Sequence, residues 1–133
     1  METSLAANGN GLGTNLAGTK ILLVEDEFII TLEMELALLN LGCVVLGPAA
    51  SAAQALALLD RERPDVAMLD VRLLDGLVTP VAERLGALGV PFVLVTAYDT
   101  AQLPPPLRAA PLLAKPVNDN ELRRLLSRLL GSP

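Results

Sequence analysis

The sequence contains no histidine and no tryptophan, one cysteine, one tyrosine and two phenylalanines among 133 residues. Without histidine it lacks the commonest acid–base side chain and metal ligand. Any metal must then be held by oxygen, which favours Mg²⁺ or Ca²⁺. The single cysteine, Cys43, excludes an internal disulfide and a cysteine-based zinc site. It lies in an apolar run and reads as a buried structural thiol. So few aromatics leave the packing to Leu, Val and Ala. Basic runs are also missing, and the net charge is −5, which argues against nucleic-acid binding. No apolar stretch is long enough to span a bilayer, and the N-terminus lacks a basic-then-apolar signal pattern. Membrane insertion is therefore not expected, and a cytoplasmic location is.

What is present is apolar: 52% of the residues, enough for one domain with one core. Residues 1–18, rich in Gly and Asn, offer no periodic apolar face and read as a disordered tail. Residues 19–131 read as one domain, with no internal repeat. Lys20–Val24 is a strand buried on both faces. A helix follows from Phe28, with Phe28, Leu32, Leu36 and Leu39 at helical spacing as its apolar stripe and Gly42 just past its end. Cys43–Leu46 is a second strand, broken by Gly47-Pro48. Ser51 caps a helix whose Ala52, Ala55, Leu56 and Leu59 share a face, and Arg63-Pro64 stops it. Asp65–Asp70 is the third strand, and Val71–Gly76 a loop. Pro80–Leu88 is a helix ended by Gly89. Pro91–Thr96 is the fourth strand. Pro104-Pro105-Pro106 then forbids a long fourth helix, leaving it short or broken. Pro111–Ala114 is the fifth strand. The last helix opens on Asn118 and Glu121, buries Leu122, Leu125, Leu126 and Leu129, and exposes Arg123, Arg124 and Arg128. Strands and helices that alternate through long connections make an α/β fold, a doubly wound five-stranded parallel sheet with helices on both faces.

In such a sheet, ligands bind in the crevice at the carboxyl ends of the strands. The first strand delivers Glu25 and Asp26 there, the third Asp70, the fourth Thr96 and the fifth Lys115. Each residue alone has an ordinary explanation. Asp70 can cap a turn, Glu25 and Asp26 can sit at a helix N-terminus, Thr96 suits a strand, and Lys115 suits a solvated turn. Their joint placement points to chemistry. Three close carboxylates are stable only when partly protonated or gathered round a cation, and Mg²⁺ suits such a set together with a phosphoryl oxygen. An Asp can be the nucleophile that accepts phosphate, with Lys115 and Thr96 to contact the phosphoryl oxygens.

The segments Ile21-Leu-Leu-Val-Glu-Asp-Glu27, Val66-Ala-Met-Leu-Asp70, Val93-Leu-Val-Thr-Ala97 and Leu113-Ala-Lys-Pro116 together resemble the receiver domains of two-component response regulators. The resemblance implies a flavodoxin-like (βα)5 fold with strand order 2-1-3-4-5. It implies that Asp70 accepts a phosphoryl group from a histidine kinase or phosphotransfer protein. Asp26, Asp70 and the Arg72 backbone carbonyl would bind Mg²⁺, with Glu25 acting through water. Thr96 would move toward the phosphoryl group, Lys115 would pair with it, and the Lys115–Pro116 peptide would be cis.

The pattern departs from the family's in places. Leu112 stands where an aromatic residue usually reports phosphorylation, and no Met-Pro follows Asp70. Tyr98, with Pro80 and the proline-broken fourth helix, is similar to the atypical Phe-Ala-Thr-Gly-Tyr-like receivers, often single-domain proteins. Thr96 and Tyr98 are therefore the switch candidates, an ordinary loop aromatic being the alternative for Tyr98. The expected function is a stand-alone response regulator that signals by phosphorylation-dependent binding of an unknown downstream protein, as relay, phosphate sink or partner control. It is expected not to be an enzyme. One alternative is an adaptor that is never phosphorylated. Another is a Mg²⁺-dependent phosphohydrolase of the haloacid-dehalogenase type, which Arg72 disfavours because that position usually holds a second Asp.

Overall fold

The computed structural model describes residues 16–97 and 103–130. Five parallel strands form the sheet: β1 (Lys20–Val24), β2 (Val44–Ala49), β3 (Val66–Leu69), β6 (Phe92–Thr96) and β7 (Leu112–Ala114). Their order is β2-β1-β3-β6-β7, the doubly wound order expected from the sequence. A small antiparallel ribbon, β4 (Arg72–Leu73) with β5 (Gly76–Leu77), occupies the segment read as a plain loop after Asp70. The helices are α1 (Phe28–Asn40), α2 (Ala52–Arg61), α3 (Thr79–Leu88), α4 (Pro105–Arg108) and α5 (Asp119–Leu129). At four residues α4 is as short as the prolines require.

The central strands divide their side chains by the two-residue period of a strand. Leu22, Val24, Ala67, Leu69 and Leu94 face one side, where Ala55 and Leu59 of α2, Val81 and Leu85 of α3 and Leu107 of α4 pack on them. Ile21, Leu23, Val66, Met68, Val93 and Val95 face the other side, against Met34 and Leu38 of α1 and Leu122, Leu125 and Leu126 of α5. Cys43 joins this second layer, and burial pushes its thiol above the ordinary value.

The second strand does not break at Gly47-Pro48 as expected. It runs on to Ala49, because β2 takes in one extra residue: Leu22 pairs with Leu46 but Val24 with Ala49. Gly47 has φ +98°, and a Cβ there would stand 3.0 Å from the Leu23 carbonyl oxygen, so only glycine fits. Pro48, whose preceding peptide is cis, is tolerated because β2 is an edge strand and carries a bulge. The bulge has a use at the site: it brings the Ala49 carbonyl to accept from the Glu25 amide at 2.9 Å.

Two further expectations are corrected. Leu16, assigned to the tail from the sequence, is buried in the α1/α5 layer, and Gly18 N–H donates to the Gly42 carbonyl at 2.8 Å. The folded body therefore includes Leu16–Gly18, while the rest of the tail lies outside the described residues. The α1 stripe faces the other way. Phe28, Leu32, Leu36 and Leu39 are exposed, with Phe28 at 72%, whereas Thr31, Met34, Ala37 and Leu38 are buried. The helix carries apolar residues on every face, so periodicity could not choose among them.

The orientation of α1 is directly testable. Leu38→Ala, which empties a fully buried position on α1, is expected to cost about 2–5 kcal/mol. Leu36→Ala is expected to stay within about 0.5 kcal/mol. Urea denaturation of the two variants measures both; a Leu36 cost in the core range would show that this side chain is packed inside.

Candidate functional site

Three main-chain hydrogen bonds between neighbouring strand ends extend the parallel ladder past the last strand residues. Asp70 N–H donates to the Val24 carbonyl at 2.9 Å, and Lys115 N–H to the Thr96 carbonyl at 3.3 Å. With the Glu25–Ala49 bond, every sequence-predicted strand-end residue except Asp26 has its backbone tied to a neighbouring strand end. The parallel register sets the rest: Val24 lies beside Leu69, and Thr96 beside Ala114.

The side chains converge accordingly. Carboxylate oxygens of Glu25, Asp26 and Asp70 lie within 4.8 Å of one another. Lys115 Nζ stands 2.9 Å from Glu25 Oε1 and 3.2 Å from Asp70 Oδ2. Glu27 Oε1 is a third carboxylate on the same ammonium, at 3.4 Å. Thr96 is buried at the end of β6. Arg72 opens the ribbon two residues after Asp70, with its side chain exposed. The Lys115–Pro116 peptide is cis. Leu112 is exposed on the edge strand, and Tyr98 lies outside the described residues.

The first turn of α1 belongs to the same site. Glu27 N–H donates to Glu25 Oε2 at 3.1 Å, and the buried Thr31 hydroxyl reaches the Glu25 carbonyl at 3.5 Å. Nothing in the local sequence separates Glu27 from its acidic neighbours as a partner of Lys115. The reach of Ala49 to Glu25 carried no sequence signal at all, since it depends on the bulge.

The electrostatics are those of crowded, part-buried acids. Burial pushes the Glu25 carboxyl above its ordinary value, against the hydrogen bond from Lys115 that lowers it. Asp26 is pushed up as well, first by burial and then by the charges of Glu25 and Glu27. Burial pulls Lys115 down, but the Glu25 hydrogen bond and the Asp70 charge outweigh it and hold the ammonium above its ordinary value. Asp70 Oδ1 is buried with no hydrogen-bond partner among the described residues. An unpaired buried carboxylate oxygen is costly, so its presence beside two further acids marks a place where a ligand is due. Oxygen donors in this number, one of them unsatisfied, fit a hard cation such as Mg²⁺.

A sheet in this order, with acids ending β1 and β3, a hydroxyl ending β6 and a lysine ending β7, defines the receiver class of signalling domain. The family model of the response regulator receiver domain matches residues 21–127, and the chain belongs to that family. It is 31% identical over 129 residues to the phyllosphere-induced regulator PhyR of Methylorubrum extorquens, which covers 92% of this chain and 47% of that protein. The chain thus spans about half the length of this relative. Among solved structures it resembles the BeF3-activated conformation of SdrG from Pseudomonas melonis Fr1, with 37% identity, 86% of this chain, 98% of that chain and a TM-score of 0.73. It also resembles the anti-anti-sigma factor PhyR from Bartonella quintana, with 26% identity, 85% of this chain, 47% of that chain and a TM-score of 0.72. No helix among the described residues is long and apolar enough to cross a membrane.

A carboxyl with a raised folded pKa holds its proton more tightly folded than unfolded. The stability that Glu25 contributes is then full below its ordinary 4.5 and is lost as pH rises through the folded value. Glu25→Gln, fixed in the neutral form, is expected to lose that part of the slope and to gain Tm over the wild type at neutral pH. Thermal unfolding in a chelator from about pH 4 to about pH 8 checks this; parallel curves for the two proteins would refute it.

Proposed function

We propose that Asp70 accepts a phosphoryl group from a histidine kinase or phosphotransfer protein, with Mg²⁺ as cofactor, and that the phosphorylated chain signals by binding another protein. The observation that carries this reading is the state of the Asp70 carboxylate. Lys115 holds Oδ2, while Oδ1 is buried beside Glu25 and Asp26 without a partner among the described residues. Asp26, Asp70 and the Arg72 carbonyl would hold the cation, with Glu25 acting through water. The cation would supply charge neutralisation for the incoming phosphoryl oxygens.

The chain's own residues divide the work. A carboxylate oxygen of Asp70 attacks the donor's phosphorus. The donor's N–P bond breaks, and an acyl phosphate forms on Asp70. Lys115 turns its ammonium from the acids to the phosphoryl oxygens and offsets the charge that develops on them. Thr96 donates its hydroxyl to the same group, and that movement would carry the signal outward. Glu25, held by backbone on one side and by Lys115 on the other, keeps the ammonium in reach before phosphate arrives. The BeF3-activated conformation of the SdrG relative supports a phosphoryl-like ligand at such a site. For the downstream partner, the Bartonella relative described as an anti-anti-sigma factor supports control of another regulatory protein by binding.

The outward stripe of α1 supports a helical donor. Ile29, Leu32, Leu36 and Leu39 are all exposed, at spacings of three, four and three, the pattern of a helix-pairing seam. Glu33 and Glu35 flank that seam, and Phe28 begins it directly after the acidic segment. A donor helix with an apolar face and basic flanks would fit it.

Two experiments test the reading. With Mg²⁺ and acetyl phosphate, intact-mass measurement is expected to find one phosphoryl group on the wild type and none on Asp70→Asn. Lys115→Ala is expected to be slower on the order of 10²-fold. No adduct from either a small donor or a cognate kinase would leave a phosphorylation-independent adaptor. Leu36→Glu is expected to slow transfer from the kinase at least about tenfold, the cost of one lost apolar contact or more, while its rate with acetyl phosphate stays that of the wild type. Equal rates from the kinase would remove α1 from the docking surface.

A further inference from the structure

The ribbon that follows Asp70 is too small to hold itself. Its two strands pair only Arg72 with Leu77 and Leu73 with Gly76, and isolated two-stranded ribbons are marginal in water. Its base is closed by Val78 N–H donating to the Val71 carbonyl at 2.9 Å. Its tip is held from outside. Asp75 Oδ1 accepts from Ala52 N–H at 2.8 Å, and Oδ2 accepts from Ala53 N–H at 3.1 Å. Leu74 N–H adds a bond to the Ala50 carbonyl at 3.3 Å.

These contacts complete the N-terminus of α2. A helix leaves its first N–H groups without partners inside the helix. Here Ser51 Oγ takes Gln54 N–H at 3.1 Å, and the Ser51 carbonyl takes Ala55 N–H at 3.1 Å. The remaining two, Ala52 and Ala53, go to Asp75. A carboxylate at this end is favoured by the helix dipole as well as by the two bonds. The same two bonds hold the Asp75 carboxyl below its ordinary value.

Segment 49–53 therefore grips the site twice. Ala49 holds the amide of Glu25, and Ala52 with Ala53 holds the loop that leaves Asp70. Segment 49–53 is itself seated in the core by Ala49 and Ala52. A displacement of the ribbon would move the Arg72 backbone relative to Glu25 and Asp70. The base of the ribbon is seated in the core by Val71, Leu73 and Val78, and the bonds of Asp75 and Leu74 add the hold at its tip.

We propose that Asp75 is a positioning residue for the phosphorylation site, latching the β4–β5 ribbon to the N-terminus of α2 so that the Arg72 carbonyl is held ready for the cation. This rests on the reading that Asp70 works with Mg²⁺. Asp75 touches neither cation nor phosphate; it acts through the ribbon. Ser51 provides the control, since its side chain caps the same helix at Gln54.

The test compares wild type, Asp75→Ala, Asp75→Asn and Ser51→Ala by NMR titration with Mg²⁺ and by amide hydrogen exchange in the metal-free protein. Loss of Asp75 is expected to raise the Mg²⁺ Kd on the order of tenfold, the effect typical of a residue that orients a metal ligand. It is also expected to speed exchange at Leu74 and Val78. Asp75→Asn, which keeps one accepting oxygen and no charge, is expected to fall between wild type and alanine, and it serves if the alanine variant fails to fold. Ser51→Ala is expected to lower Tm but leave the Mg²⁺ Kd within about twofold of wild type. An unchanged Kd in the Asp75 variants, or an equal loss in Ser51→Ala, would overturn the proposal. A wild type that takes up no Mg²⁺ would overturn the metal reading instead. Unchanged ribbon exchange in Asp75→Ala would still overturn the latch.

Discussion

One ammonium lies among the carboxylates of Glu25, Asp70 and Glu27, at 2.9, 3.2 and 3.4 Å, and Asp26 completes the acidic group. Carboxylates this close repel, and burial makes each charge more expensive. Lys115 offsets part of that cost, which is why it keeps its proton more firmly than an isolated lysine does. It does not offset all of it: Glu25 and Asp26 remain raised, and one oxygen of Asp70 has no partner among the described residues. A set of acids that its own lysine leaves incompletely neutralised favours a further cation, and that residual charge is the basis for the phosphoryl chemistry proposed for Asp70.

The lysine can act in this way only because the strand ends are fixed against one another. Backbone bonds from Asp70 to Val24, Lys115 to Thr96 and Glu25 to Ala49 place the side chains before any side-chain contact is made. The sheet is buried on both faces, so these bonds are shielded from water. Irregular features serve the same end. The bulge at Gly47 brings Ala49 to Glu25, and the Asp75 carboxylate carries the order of α2 into the loop after Asp70. Each departs from regular strand geometry at the rim of the sheet, where such departures re-aim backbone toward a site.

The alternation of strand and helix, the five apolar runs and the chemistry-bearing residue at each strand end could all be read along the chain. They are local properties: short apolar runs bounded by turn residues make strands, and long connections force them parallel. From these the parallel sheet and the gathering of Glu25, Asp26, Asp70, Thr96 and Lys115 followed, while the strand order came from the resemblance to receiver domains. The three consecutive prolines likewise bounded α4, because ring closure acts on its own residue and its neighbours.

Tertiary structure alone decided three things. Which face of α1 is buried depended on what the sheet and α5 offered it, since Phe28, Ile29, Leu32 and Leu36 are as apolar as Met34 and Leu38. The continuation of β2 through Gly47-Pro48 depended on a partner strand that could accommodate an extra residue. The reach of Asp75 to Ala52, across 23 positions of sequence, depended on two segments that meet only after β1, β2 and β3 have paired. Sequence determines what is set by the nearest few residues, which here is the strands, their ends and the kind of chemistry at them. Orientation, register irregularity and long-range hydrogen bonds are decided by which surfaces are left to one another once the sheet has formed.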